Sequence, residues 1–240
     1  SEWAGVKNFM FLIKSNDLFV ILRNTILYNL VFIVLGMVVS VGLAIMISLM
    51  RNKRASKVYQ TMMFFPYFMS WVVASYFLDA FLNQNNGLIN NMLRNSGQQP
   101  IQWYMTAGAW PAILTFMYLW KSTGYNMVIY LSSISGIDTT LYEAAVMDGA
   151  NKRQQVFHIT LPCLKNVIIM MFILNVGKIF YSDFGLFYQL SQGASGSIFK
   201  TTATIDTYIY NALRSSTIGM TSAAAFFQSV ACCITIILAN

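Results

Sequence analysis

Three ionisable side chains, Lys121, Lys178 and Asp183, stand within or beside long apolar stretches of the chain. A charge at membrane depth costs about 2.5–3.5 kcal/mol even on lenient scales, so it faces a cavity or a partner. Beside these three stand Trp120, Ser122, Tyr125, Asn126, Asn175, Tyr181 and Ser182. Aromatic faces suit the apolar side of a sugar ring, and amides, hydroxyls and charges suit its hydroxyl groups. Two lysines near one cavity point further, to an acidic oligosaccharide. The alternative is that Lys178 pairs with Asp183 or snorkels, while the aromatics pack at an interface.

Other chemistry finds little footing. His158 is the single histidine, and no nucleophile or ligand accompanies it in the sequence. Cys163, Cys232 and Cys233 lack CxxC or Cys/His spacing, so they read as small apolar residues and no metal is expected.

The elements that must carry these residues are membrane helices. The chain has 240 residues, 57% of them hydrophobic and 10% charged, with a mean hydropathy of +0.56. Runs 24–50, 58–78 and 215–240 contain no charge, and about 20 apolar residues cross a ~30 Å hydrocarbon core. An all-α membrane protein follows, with five spans at about 25–50, 58–82, 109–133, 163–181 and 218–240. Pro66 should kink the second or help bend it around a cavity, and residues 88–93 suggest a short interfacial helix. Residues 1–23 read as an interfacial lead-in. The net charge of +7 implies no nucleic-acid partner, because the basic residues lie mostly in loops.

Those basic residues set the orientation. Arg51, Lys53, Arg54 and Lys57 cluster in one connection, and Lys152, Arg153 and Lys165 lie in or beside another. The connection at 83–108 has only Arg94, and 184–217 has Lys200 and Arg214 beside Asp206. The positive-inside rule puts the 138–162 loop in the cytoplasm and residue 1 outside. A further helix before residue 1 would reconcile that start with an inner-membrane chain, giving six spans in the intact protein.

The 138–162 loop is itself patterned. Thr140 and Glu143 have the spacing of a capping box, which predicts a short helix from about Leu141 to Met147 exposing Tyr142, Ala145 and Val146. Gly149 should break it with a positive φ. A second amphipathic segment, 151–159, then leads to Pro162 in the first turn of the next span. Helix, break, helix and proline describe a stiff elbow.

Glu143-Ala144-Ala145, Gly149 and Ile159-x-Leu161-Pro162 resemble the EAA loop of permease subunits in binding-protein-dependent type I ABC importers. The likeness covers essentially the whole chain. Trp3-x-Gly5-x-x-Asn8-Phe9, Asn24-Thr25 and Trp120-x-x-x-Gly124-Tyr125 are similar to carbohydrate permeases of the LplB type. Asp138 departs from the pattern where relatives frequently have proline, and Asp can cap a helix instead. The resemblance implies one transmembrane permease domain over 1–240, with 138–162 as the coupling loop. Tyr142, Glu143, Ala144, Ala145, Asp148, Gly149, Ala150, Leu161 and Pro162 would then meet an ATPase subunit. It also implies a second permease forming a heterodimer, an extracytoplasmic solute-binding protein and a bacterial cytoplasmic membrane.

No GxxxxGK[ST] phosphate loop occurs in the chain, so ATP and Mg belong on the separate ATPase and this chain needs no cofactor. In maltose permease, sugar contacts come from stretches corresponding to those around Lys121, Ser122 and Tyr125, and around Asn175, Lys178 and Ser182 or Asp183. The transport reading is therefore an oligosaccharide importer. Amino acids or polyamines are the alternative cargo, and an ion-coupled secondary carrier or a membrane enzyme the alternative classes. A secondary carrier usually shows internal repeats, and a membrane enzyme needs clustered catalytic groups. Neither is visible in the sequence.

Overall fold

A computed structural model describes residues 17–215 and 218–239. The Trp3-x-Gly5-x-x-Asn8-Phe9 stretch and most of the expected interfacial lead-in lie outside them. Every regular element among the described residues is helical. The long α1 (Leu18–Ser48) is followed by α2 (Lys53–Phe64), α3 (Trp71–Leu82) and the short α4 (Leu88–Asn95). Then come α5 (Trp110–Ser135), α6 (Thr139–Met147), α7 (Lys152–Gln155) and α8 (Leu161–Val176). The last are α9 (Phe184–Leu190), α10 (Phe199–Thr202), α11 (Ile205–Ser215) and α12 (Ile218–Ala239).

By length and composition, α1, the continuous helix Lys152–Val176 and Thr221–Leu238 can each cross a bilayer, and the bent pair α2–α3 could make a fourth span. Helix α5 is long enough at 26 residues, but its middle carries the polar run Lys121-Ser122-Thr123. Large apolar side chains remain exposed on these helices: Val38 at 64%, Phe116 at 65% and Ile237 at 71%. Water would punish such surfaces, whereas hydrocarbon solvates them.

Two expected spans differ. The second is broken: α2 passes into a 3₁₀ turn at Phe65–Phe68 containing Pro66, and α3 restarts after the cap Ser70, whose hydroxyl accepts from the Val73 N–H. Proline cannot donate to the preceding turn, and the helix gives way there. The fourth helix ends at Val176 rather than 181, so Lys178 and Tyr181 lie beyond it.

The described residues divide into two compact units, and α1 and α5 supply residues to both. One comprises the described parts of 1–31, 69–117 and 176–240. Its core includes Ile21, Leu78, Trp110, Leu114, Leu186, Phe187 and Leu190. Here α1 acts as a polar post. Asn24 donates to the Ala203 carbonyl at 2.9 Å, Tyr28 to that of Thr201 at 2.8 Å and Asn29 to that of Ile179 at 2.8 Å. These amides and the hydroxyl satisfy carbonyls left open by irregular backbone, which a low-dielectric surrounding makes necessary. Asn90, fully buried on α4, donates to the Ile101 carbonyl and accepts its N–H, both at 2.9 Å.

The other unit comprises 32–68 and 118–175. Val41, Ala44, Ile47, Met127, Tyr130, Ile134 and Leu164 form its core. Phe32 stacks on Tyr118 with ring centres 4.0 Å apart.

Candidate functional site

The elbow is built from three local devices. Asp138 caps α6, its carboxylate accepting the Thr140 N–H at 3.0 Å. That backbone hydrogen bond, with a second from the Thr140 side chain, holds the Asp138 carboxyl below its ordinary value. The capping box expected at Thr140 and Glu143 is therefore not what starts the helix. Thr140 already lies inside α6, because Asp138 opens it two residues earlier.

The helix ends in a Schellman motif. The Ala150 N–H reaches the Ala145 carbonyl at 2.8 Å and the Gly149 N–H reaches that of Val146 at 3.0 Å. Gly149 has the expected positive φ, +80°. A capping box does occur, one helix later. Asn151 accepts from the Gln154 N–H at 3.0 Å, and the Gln154 side chain accepts from the Asn151 N–H at 2.8 Å.

Pro162 does not open a new helix. α7 runs through a π turn at Val156–Thr160 into α8, and the Leu161 N–H bonds to the Val156 carbonyl. The wider turn just before Pro162 relieves the carbonyl that its ring would strike and that it cannot satisfy.

The elbow has an inner and an outer side. Tyr142 turns inward, contrary to its expected exposure, and its hydroxyl meets Thr160 Oγ1 at 2.9 Å. The Gln155 side chain is buried and donates to the Ala150 carbonyl at 3.0 Å. Leu161 packs against the core of its unit. The outer side offers Glu143, Ala144, Asp148 and Gly149, all exposed, with Val146 at 56% and Met147 at 88% exposure. Ala145 and Ala150 are half-buried. The outer side thus presents an acid among small and apolar side chains on a helix braced from within. Thr160 and Gln155, which brace it, went unremarked in the sequence because nothing there shows that their side chains turn inward.

The residues proposed to meet cargo separate into groups. In the 32–68 and 118–175 unit, Lys121 Nζ donates to the Tyr67 carbonyl at 2.7 Å and stands 5.4 Å from the centre of the Tyr67 ring. Tyr67 and Tyr125 are stacked, 4.6 Å apart and 12° from parallel. Phe64 lies 5.8 Å from Tyr67 and 6.2 Å from Tyr125. The sequence reading missed Tyr67 and Phe64, although the aromatic run 64–68 flanking Pro66 could have signalled them. Gly124 permits the arrangement: a Cβ there would come within 1.9 Å of the Met63 carbonyl oxygen.

Asn126 and Asn175 line a small crevice with Phe32 and Tyr118. The Ser122 hydroxyl donates back to the Tyr118 carbonyl within its own helix at 2.7 Å, and Trp120 is half-buried.

In the other unit, Lys178 is exposed in the turn after α8. The Ser182 N–H and hydroxyl donate to Asp206 Oδ2 at 2.6 and 2.7 Å, and Gln228 donates to the same carboxylate at 3.2 Å. Asp183 accepts from the Trp71 indole at 2.7 Å and from the Leu186 N–H at 3.2 Å, capping α9. Ser182 and Asp183 are thus tied into structural networks. Asp206 and Gln228 are the partners that sequence spacing could not reveal.

Residues 36–240 match the family described as the binding-protein-dependent transport system inner membrane component. The chain belongs to this family. It is a multi-pass membrane protein and a transport subunit rather than an enzyme, so the resemblance carried by Glu143 to Pro162 holds at family level.

Among its relatives is the polygalacturonan/rhamnogalacturonan transport system permease protein YteP of Bacillus subtilis (strain 168), 31% identical over all of this chain and 74% of the relative. Another is protein LplB of the same organism, 27% identical over all of this chain and 75% of the relative. A bacterial ABC transporter that imports the acidic polysaccharide alginate contains a chain with a TM-score of 0.93 and 28% identity, covering 100% of this chain and 83% of that one. The bacterial alginate ABC transporter in complex with its alginate pentasaccharide-bound periplasmic protein gives a TM-score of 0.91 at 28% identity, covering 98% and 81%.

Proposed function

We propose that this permease forms, with a second permease subunit, the path by which an acidic oligosaccharide enters a bacterial cell. The cargo arrives on an extracytoplasmic binding protein, and separate ATPase subunits holding ATP and Mg drive its passage. The 138–162 elbow faces the cytoplasm, residue 1 lies outside, and the Glu143–Met147 face docks into the ATPase.

One observation carries the cargo reading: Lys121 is held on the Tyr67 carbonyl, 5.4 Å from the centre of the ring that stacks on Tyr125. Stacked phenol rings offer a flat apolar face to a sugar ring, and a fixed ammonium beside them attracts a carboxylate. The same ammonium repels a polyamine. The relatives agree, since YteP serves polygalacturonan/rhamnogalacturonan and the alginate importer an acidic polysaccharide.

The complex, reconstituted in vesicles with its binding protein, should show ATP-driven uptake of uronate oligosaccharides. Lys121→Gln should reduce that uptake about tenfold, the order of one charge-assisted contact, and affect neutral oligosaccharides less. Equal loss for both classes would remove the charge argument. ATPase stimulation by amino acids and by no sugar would move the assignment to the other cargo.

A further inference from the structure

Within the 32–68 and 118–175 unit, a cavity of about 650 Å³ opens beside the elbow. Lys53 and Lys57 of α2 line it together with Lys152 of α7, and none of its lining residues is Asp or Glu. Asp138, Glu143 and Asp148, the acids of the elbow, stay outside the lining. Ser56, Ser132 and Thr139 add hydroxyls, while Ile47 and Leu131 supply an apolar wall.

We propose that this cavity binds a phosphate-bearing anion. Three lysines line the cavity without a carboxylate, one of them, Lys152, with its ammonium on Gln155 Oε1 at 3.2 Å. An anion bound there is attracted by all three. Hydroxyl and ammonium donors match the acceptor oxygens of a phosphate. The basic residues mark this end as cytoplasmic, where the surface potential of the inner leaflet concentrates Lys and Arg against anionic lipid headgroups. The apolar wall suits the start of an acyl chain, and the volume is that of an ordinary ligand site. Because Lys53 and Lys57 lie on α2 and Lys152 on the elbow, the bound anion links the two. Tyr142 lines the same cavity and anchors α6 to Thr160, so occupancy stiffens the coupling face.

The test uses the purified complex in neutral detergent and native mass spectrometry with three probes. They are dioctanoyl phosphatidylglycerol, dioctanoyl phosphatidylcholine and inorganic phosphate. Phosphatidylglycerol should bind and the zwitterionic lipid should not. The triple variant Lys53→Gln, Lys57→Gln, Lys152→Gln should bind it roughly 100-fold more weakly, about fivefold for each lysine. The corresponding triple arginine variant should keep the affinity and guards against misreading a folding defect. Displacement of the lipid by inorganic phosphate would support the site with a soluble occupant. Binding of neither anion, equal binding of both lipids, no loss in the glutamine variant or equal loss in the arginine variant would each overturn the proposal. Transport is not measured, so the outcome is independent of the cargo assignment.

Discussion

Gly124→Ala adds one methyl group where α5 lies against α2. Its Cβ would stand 1.9 Å from the Met63 oxygen, 2.4 Å from the Met63 carbonyl carbon and 2.8 Å from the Phe64 nitrogen. These are backbone atoms, so no side-chain rotation relieves the clash. Reaching an ordinary 3.4 Å contact requires a shift of 1.5 Å. Overpacking of this kind costs about 1–3 kcal/mol. Losing the Tyr67–Tyr125 stack would add about 0.5–1.5 kcal/mol. The 2.7 Å bond from Lys121 to the Tyr67 carbonyl would stretch beyond hydrogen-bonding reach with a full shift.

The melting temperature of the purified complex should fall by roughly 5–10 °C, and oligosaccharide uptake should fall with it. Gly42→Ala is the matched control, since nothing lies within 4 Å of its added Cβ. That variant should melt at or slightly above the parent temperature, because alanine is the better helix former. If Gly124→Ala melts and transports like the parent, close approach of α2 and α5 does not position Tyr125, and the argument for this surface fails.

Three further outcomes follow from the elbow. Gly149→Ala meets no atom within 4 Å but keeps φ near +80°, so its cost is backbone strain alone, about 1–2 kcal/mol. Hydrogen exchange across 145–151 should accelerate accordingly, with Gly149→Asn intermediate, and unchanged exchange would mean the motif is not held by glycine. Glu143→Lys reverses the charge on the outer face of α6 and should abolish coupled uptake while leaving the complex melting normally. Retained uptake would count against docking through this face. Asp138, with its carboxyl below the ordinary 3.8, stabilises α6 only while ionised. Its contribution is fully present above 3.8 and disappears as pH falls through the lower folded value. Intrinsic-rate-corrected protection of α6 should therefore be flat from pH 7 to 5 and drop only in stronger acid. A drop centred near pH 6 would assign it to another group.

Much of this protein was readable before its structure because membrane helices and helix ends are written locally. Uncharged apolar runs must become helices in lipid, where each backbone group needs an internal partner. Gly149, followed by a polar restart, terminates a helix through its own backbone freedom. The elbow was therefore legible as a part, and Glu143, Gly149 and Pro162 were legible as a family mark.

Its details were harder to read, because competing local signals had to be ranked. Asp138 displaced Thr140 as the cap. Pro162 was absorbed by a π turn rather than opening a helix. Pro66 broke its span through a 3₁₀ turn, a sharper interruption than a kink within one helix.

Only the tertiary structure decided which distant groups these polar side chains meet. Lys121 and Tyr125 meet Tyr67, more than fifty positions away, because Gly124 lets two helix backbones nearly touch. Ser182 and Asp183, equally polar in sequence, are taken up by Asp206 and by Trp71. Residue type and spacing determine what a side chain can bind along its own helix. Packing between distant segments determines which group takes up that capacity.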